Sequence, residues 1–140
     1  MSNLRKTFAA ALGMLGSAAY ANGAMFSTLP PDRGSLSAYK WEARPVLIFA
    51  PSADHPDFKD QVAELRDARA GLMERDMVVL LDTDPDAHGK LRSGLAVDGF
   101  EIVLVGKDGG VKLREGQPLT ARTLFETIDA MPMRQREIVQ

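Results

Sequence analysis

The 140-residue sequence predicts an α/β fold, a three-layer α/β/α sandwich around a mixed sheet of about four strands. Three observations lead to this prediction. Short, continuous apolar runs recur along the chain, as expected for strands that are covered on both faces. Segments with the helical spacing of apolar residues lie between these runs. A glycine-rich turn joins the last two strands and predicts an antiparallel hairpin beside parallel strands.

Composition restricts the function as well as the fold. The chain is 45% hydrophobic and 26% charged, which is typical of one globular domain and not of a disordered protein. Its formal net charge of −2 indicates neither a basic surface for nucleic acid nor a polybasic membrane patch. The chain contains no cysteine, so disulfides, thiolate metal sites and all thiol redox chemistry are excluded.

The segment from Met1 to Ala21 has the layout of a signal peptide that is cleaved on export. Arg5 and Lys6 precede a short apolar run, and Ala19-Tyr20-Ala21 fits the A-x-A cleavage pattern. The run is shorter than the roughly 20 residues that span a bilayer. The alternative is an amphipathic helix of the folded protein, but the run has no polar face. We therefore expect an exported protein, periplasmic in a Gram-negative bacterium and otherwise secreted, without a stable membrane anchor after signal cleavage.

The first half of the mature chain predicts a spacer and then a strand and a helix. Residues 22–40 have no clear period and are rich in glycine, proline and serine, which indicates a spacer with one short element near its end. The domain is expected over residues 41–137. Val46 to Ala50 reads as a buried strand, and Pro56 to Arg75 carries a helical apolar stripe in which Gly71 weakens the last turns.

The second half predicts the rest of the sheet. Met77 to Leu81 is a second buried strand, parallel to the first because a helix connects them. His88 to Leu95 has the pattern of a short helix, and Glu101 to Val105 that of a third buried strand. The turn Lys107-Asp108-Gly109-Gly110 then leads into Val111 to Arg114, which alternates as an edge strand does.

The last helix completes the element order. Thr120 is its predicted N-cap, Pro132 is expected to end it, and Met133 to Gln140 is expected to be a frayed tail. The resulting order, β-α-β-α-β-β-α, is the thioredoxin-like arrangement. A flavodoxin-like sheet is the alternative, although it needs a further βα unit in place of the hairpin.

Three blocks of sequence carry a resemblance to a known family. They lie at Arg44 to Asp54, Asp98 to Arg114 and Leu124 to Arg134. Together they resemble the bacterial family called domain of unknown function 4174 (DUF4174), over Lys40 to Glu137. The resemblance implies a peroxiredoxin- or thioredoxin-like fold, related to modules of secreted sushi-repeat and extracellular-matrix proteins. It implies no established activity and therefore transfers no catalytic residue.

The loop after the first core strand lies where thioredoxins carry their C-x-x-C motif. That position is occupied here by Asp54-His55-Pro56-Asp57, and no proline lies near Glu101, where thioredoxins have a cis-proline. Disulfide exchange and thiol peroxidase activity are thus excluded by chemistry.

The same edge of the sheet still collects polar residues. Parallel strands place the two loops that follow them at one carboxyl edge, where open α/β sheets bind ligands. The candidates for a ligand-binding edge are Ser52, Asp54, His55 and Asp57. The weak candidates for a metal site are Asp82, Asp84, Asp86 and His88. Helix capping and turn formation are the simpler explanation for such residues and are favoured over a metal site.

Two more specific motifs fail at this edge. A calcium loop beginning at Asp82 would need glycine at Ala87 and glutamate at Ser93. A nucleophile elbow at Ser52, assisted by His55, lacks the glycines of G-x-S-x-G.

We therefore expect an exported, redox-inactive thioredoxin-like domain that acts as a binding or interaction module. Its partner would be a protein or a small molecule, not a nucleic acid, and neither a cofactor nor a catalytic residue is assigned. The alternative is a metal-binding protein or a non-thiol enzyme that uses the edge formed by Asp54, His55 and the segment from Asp82 to His88.

Overall fold

The computed structural model describes residues 25–139 of the chain. One mixed sheet holds five strands in the order β1-β3-β2-β4-β5. The parallel strands β1 and β2 flank β3, whereas β4 runs antiparallel to both β2 and β5. The strands are β1 Phe26–Thr28, β2 Arg44–Phe49, β3 Met77–Asp82, β4 Glu101–Val105 and β5 Val111–Glu115.

Five helices and two short 3₁₀ turns, at Ser37–Tyr39 and Pro85–Ala87, complete the described chain. The helices are α1 Pro56–Asp67, α2 Arg69–Glu74, α3 Lys90–Gly94, α4 Ala121–Asp129 and α5 Pro132–Ile138. One face of the sheet is covered by α1, α2 and α4, and the other by α3 and the chain around residues 36–43. The predicted α/β/α sandwich is thus confirmed.

The sheet has one strand more than the predicted four. The additional strand, β1, lies in the segment that was predicted as a spacer, and Phe26 stands in register with Val79. Met25 is completely buried and its carbonyl accepts a hydrogen bond from the Val79 amide at 2.7 Å. A three-residue strand has no room for a repeating pattern, so the sequence offered no periodicity from which to predict it.

The long helix predicted over Pro56 to Arg75 is two helices. The chain leaves helical geometry at Ala68, which has φ −102° and ψ 22°, and α2 then starts at Arg69. Neither glycine nor proline marks this break. The short helix predicted over His88 to Leu95 is also narrower, because His88 has left-handed backbone geometry and α3 begins at Lys90.

The C-terminal segment is ordered as a helix, so the prediction of a frayed tail was wrong. Pro132 does not end α4, which stops at Asp129; it occupies the first turn of α5. A proline fits there because its missing amide would have no partner within the helix. The predicted N-cap Thr120 is confirmed, since its side chain accepts a hydrogen bond from the Thr123 amide.

The α5 helix is held to the amino end of β2 by ion pairs. Arg44, only 1% exposed, donates from Nη2 to Glu137 Oε2 at 3.1 Å and from Nη1 to the Arg75 carbonyl at 2.8 Å. Lys107 bridges Glu137 at 2.9 Å and Asp76 at 2.8 Å. Burial alone would raise the pKa of Glu137, but the hydrogen bonds from Lys107 and Arg44 outweigh it and lower that pKa.

Gly71 lets α2 approach α4 closely. A Cβ atom at this position would lie 2.5 Å from Cε2 of Phe125, whose ring also packs beneath the guanidinium of Arg75 at 4.1 Å from the ring centroid. The glycine that the sequence suggested as a weak point of the helix is therefore required by packing.

We predict that Gly71→Ala destabilises the protein by about 1–3 kcal/mol, because the added methyl overpacks the site against Phe125. Helix propensity alone would predict the opposite sign. Gly94→Ala is the matched control, since a Cβ there meets nothing within 4 Å. Urea denaturation should show Gly94→Ala neutral or stabilised by up to about 1 kcal/mol. Equal effects of the two substitutions would contradict the packing argument.

We predict that Glu137→Gln lowers the free energy of unfolding by about 2 kcal/mol at pH 7. Removing one partner of a fully buried pair costs about 3–5 kcal/mol, and Glu137 is 24% exposed, which reduces that figure. The pKa of Glu137 in the folded protein lies below its ordinary value of 4.5. The Glu137 carboxylate therefore contributes its full share of the unfolding free energy above pH 4.5. It is lost as the pH falls through the lowered value.

Urea denaturation between pH 7 and pH 2 measures this dependence. The unfolding free energy of Glu137→Gln should fall less steeply than that of the wild type below about pH 4.5. Glu126→Gln, at a side chain that is 67% exposed, serves as the control and should follow the wild-type curve. Parallel curves for wild type and Glu137→Gln would refute the role of this carboxylate.

Candidate functional site

Three strand ends meet at the edge of the sheet where the sequence predicted a site. Phe49, the last residue of β2, stands opposite Asp82 at the end of β3 and Glu101 at the start of β4. The loop after β2 leads into α1, and the loop after β3 leads through the 3₁₀ turn into α3. The prediction that both loops lie at one carboxyl edge is thus confirmed.

A buried ion pair closes this edge. Arg92 of α3 donates from Nε to Asp82 Oδ2 at 3.1 Å and from Nη2 to Asp82 Oδ1 at 3.2 Å. The same Nη2 also donates to the carbonyls of Ala50 at 3.0 Å and of Asp82 at 2.9 Å. The guanidinium lies 5.5 Å from the ring centroid of Phe49. Arg92 therefore satisfies the ends of β2 and β3 and holds α3 against them.

The four candidates for the ligand-binding edge lie in different environments. Ser52 and Asp54 are exposed, and Asp57 is half-exposed in the first turn of α1. His55 stacks on Phe100, with ring centroids 6.2 Å apart and planes inclined by 9°. Its Nδ1 is buried and finds no hydrogen-bond partner within residues 25–139. His55 occupies the N-cap position of α1, yet no side chain caps that helix.

The four weak candidates for a metal site also lie in different environments. Asp82 is buried against Arg92, whereas Asp84, Asp86 and His88 are exposed. Asp82 also accepts a hydrogen bond from the Asp84 amide at 3.1 Å, which shapes the turn. Within the described part of the chain, no group of three or more His, Asp or Glu side chains is placed to hold a metal ion.

An open groove lies along this edge, with a volume of about 450 Å³. We call it the carboxyl-edge groove. It is lined by Pro51, Pro85, His88, Arg92, Ser93, Ala96, Val97, Asp98 and Gly99. Its ionisable lining consists of His88, Arg92 and Asp98, and Arg92 is already bound to Asp82. The lining is otherwise small or apolar, which suits contact with a partner better than acid–base chemistry.

Arg92 is the residue that the sequence reasoning missed. The signal for it was indirect: an aspartate directly after an apolar strand is buried at acceptable cost only when a cation or several donors accompany it. The sequence did not show which of the cations nearby would fulfil this role. The groove wall from Ala96 to Gly99 was also missed, because no chemistry-bearing motif marks it.

The fold and this edge together define a thioredoxin-like domain in which no thiol is present. Solved structures support the fold. Plasmodium vivax 2-Cys peroxiredoxin in its reduced form matches with a TM-score of 0.55 and 14% identity, over 72% of this chain and 84% of that chain. Reduced desulfothioredoxin from Desulfovibrio vulgaris Hildenborough matches with a TM-score of 0.54 and 15% identity, over 77% and 99%. At such identities the likeness establishes the fold alone.

The family is shown by sequence. The model of the family described as Domain of unknown function (DUF4174) matches residues 35–137, and the chain belongs to this family. The resemblance noted from the three sequence blocks is thus confirmed. The comparison with curated proteins found no match.

Two further predictions concern export and membrane anchoring. The predicted signal peptide, residues 1–21, lies outside the described residues. Among the helices of residues 25–139, none has the length and apolar character needed to cross a bilayer.

We predict that Arg92→Met destabilises the protein by about 3–5 kcal/mol, because Asp82 is left buried without its cation. Adding Asp82→Asn should recover part of this loss, since the remaining buried group is then neutral. Lys90→Met, at an exposed position of the same helix, should change stability by less than about 0.5 kcal/mol. Urea denaturation of the four proteins measures the difference. A loss for Arg92→Met as small as that for Lys90→Met would contradict the structural role of the pair.

Proposed function

We propose that this DUF4174 protein is an exported, redox-inactive binding module, and that the carboxyl-edge groove holds a segment of a partner protein. The observation that carries the proposal is the combination of an open groove of about 450 Å³ with a chain that has no cysteine. The edge used for ligands in open α/β sheets is present, but the thiol chemistry of thioredoxins is not.

The groove is built for recognition on a firm base. The Asp82–Arg92 pair and its backbone contacts fix the ends of β2 and β3 beneath it, so the base of the groove cannot collapse without exposing buried charge. Pre-formed surfaces of this kind bind without a large ordering cost. The small lining residues Ser93, Ala96 and Gly99 allow a partner's backbone to approach closely.

Export is proposed from the N-terminal sequence. Arg5 and Lys6, the apolar run and Ala19-Tyr20-Ala21 follow the order that signal peptidases require. A protein without cysteines can also fold in an oxidising compartment without mispaired disulfides. The proposed location is the periplasm in a Gram-negative bacterium and the medium otherwise.

Site-specific photo-crosslinking in cells of the native host tests both parts of the proposal. A photoreactive phenylalanine replaces exposed Ser93 in the groove, in the full-length chain. We expect one defined protein adduct from the exported fraction. The intact mass of the protein in that fraction should match a chain that begins at Asn22. The thioredoxin-like domain itself should remain folded, because Ser93 is exposed.

The control carries the same photoreactive residue at Glu126, which is exposed on α4 on the other side of the sheet. It should give no such adduct. The same adduct from both positions, or no adduct from Ser93, would overturn the groove as the binding site. A protein that keeps residues 1–21 and stays in the cytoplasm would overturn export.

A further inference from the structure

A second concave site lies at the opposite end of the sheet from the carboxyl-edge groove. It is a cleft of about 230 Å³ at the amino end of β2, beside the turn between β4 and β5 and the start of α5. We call it the basic cleft. Its lining residues are Arg44, Gly106, Lys107, Asp108, Lys112, Met131, Pro132, Met133 and Arg136. It is smaller than the roughly 300–1,000 Å³ of pockets for drug-sized ligands, so its occupant is a small molecule.

The charges around the cleft leave one positive charge in excess. Lys112 pairs with Asp108 at 2.8 Å, and Arg44 and Lys107 share the carboxylates of Glu137 and Asp76. The fourth cation of the lining, Arg136, is exposed and forms no ion pair with any residue in 25–139. A singly charged anion balances this excess, whereas a doubly charged one would exceed it.

Arg44 offers a donor that the protein itself does not use. Its side chain is 1% exposed, and both Nη atoms bind Glu137 or the Arg75 carbonyl. Its Nε is buried and has no hydrogen-bond partner in the described chain. Buried donors without partners are rare in folded proteins, so Arg44 adds an uncompensated polar group to the wall of the cleft.

The remaining wall is apolar. Met131, Pro132 and Met133 form it, and methionine side chains adapt to ligands of irregular shape. We propose that the basic cleft binds a small organic monoanion, a carboxylate carried on a short apolar stem. The carboxylate would face Arg136, and the stem would lie against the methionines. This site is independent of the carboxyl-edge groove and of export.

Trp41 is linked to the cleft through its backbone. Trp41 is the only tryptophan of the chain, and its side chain is 58% exposed. Its backbone has a positive φ of 68°, which is uncommon for a bulky residue. Its amide donates to the carbonyl of Lys107, a lining residue, at 2.7 Å. Occupation of the cleft should therefore shift the amide signal of Trp41.

The test is a titration of the full-length protein with sodium hexanoate, followed by amide chemical shifts in NMR. We expect saturable shifts concentrated at Gly106, Lys107 and Met133. Hexanamide, which has the same stem without the charge, should bind at least about fivefold more weakly, as expected when a charge-assisted hydrogen bond is lost.

Two exposed arginines provide matched variants that keep the fold. Arg136→Gln should weaken hexanoate binding about two- to fivefold, the range of a partly screened ion pair. Arg122→Gln, on α4 with a side chain that is 86% exposed, should leave it unchanged. Raising the salt concentration should weaken wild-type binding and reduce the difference between the two variants.

Three results would overturn the proposal. Shifts that do not saturate, or that scatter over the surface, would show non-specific association only. Equal affinities for hexanoate and hexanamide would show that the cleft selects the apolar stem and not the anion. Equal loss in Arg136→Gln and Arg122→Gln would show that general surface charge, and not the cleft, attracts the ligand.

Discussion

The complete burial of β2 is the constraint on which the rest of this structure depends. All of its residues from Arg44 to Phe49 are buried, because both faces and both neighbouring strands cover them. A strand buried in this way leaves its two ends in need of polar partners. Arginines fulfil this need: Arg44 begins the strand and is met by Glu137, and Arg92 binds the Ala50 carbonyl just beyond its end.

The two arginines also explain why the elements far from β2 in sequence are ordered. Glu137 lies in the last helix, and its bond to Arg44 fixes α5 at the amino end of β2. Arg92 lies in a helix of only five residues, which could not be stable in isolation. Each helix is thus held by a buried charge pair in addition to apolar contacts. Removing Glu137 or Arg92 leaves a buried charge without its main partner, so the pairs specify where these helices lie.

The chain has a thioredoxin-like fold but no cysteine, so thiol redox chemistry is absent. In this chain, the carboxyl edge contains a groove lined mainly by small and apolar residues, and the charges beneath it serve packing. The amino end of the sheet contains a basic cleft whose charges are only partly matched. The two ends of one sheet therefore present different chemistry: a mostly small and apolar groove at one end and an excess of basic side chains at the other.

Local pattern was sufficient to determine the α/β class, the buried strands, the hairpin at Gly109 and the cap at Thr120, because each depends on residues that are close in sequence. It also excluded thiol chemistry, since a missing residue type cannot be supplied by folding. Only the tertiary structure decided which charges pair. The partners Arg44 and Glu137 are 93 positions apart, and neither has a local signal that identifies the other. For the same reason the sequence predicted that the aspartates and histidines of the carboxyl edge act together. In the structure, Asp82 pairs with Arg92 and His55 stacks on Phe100.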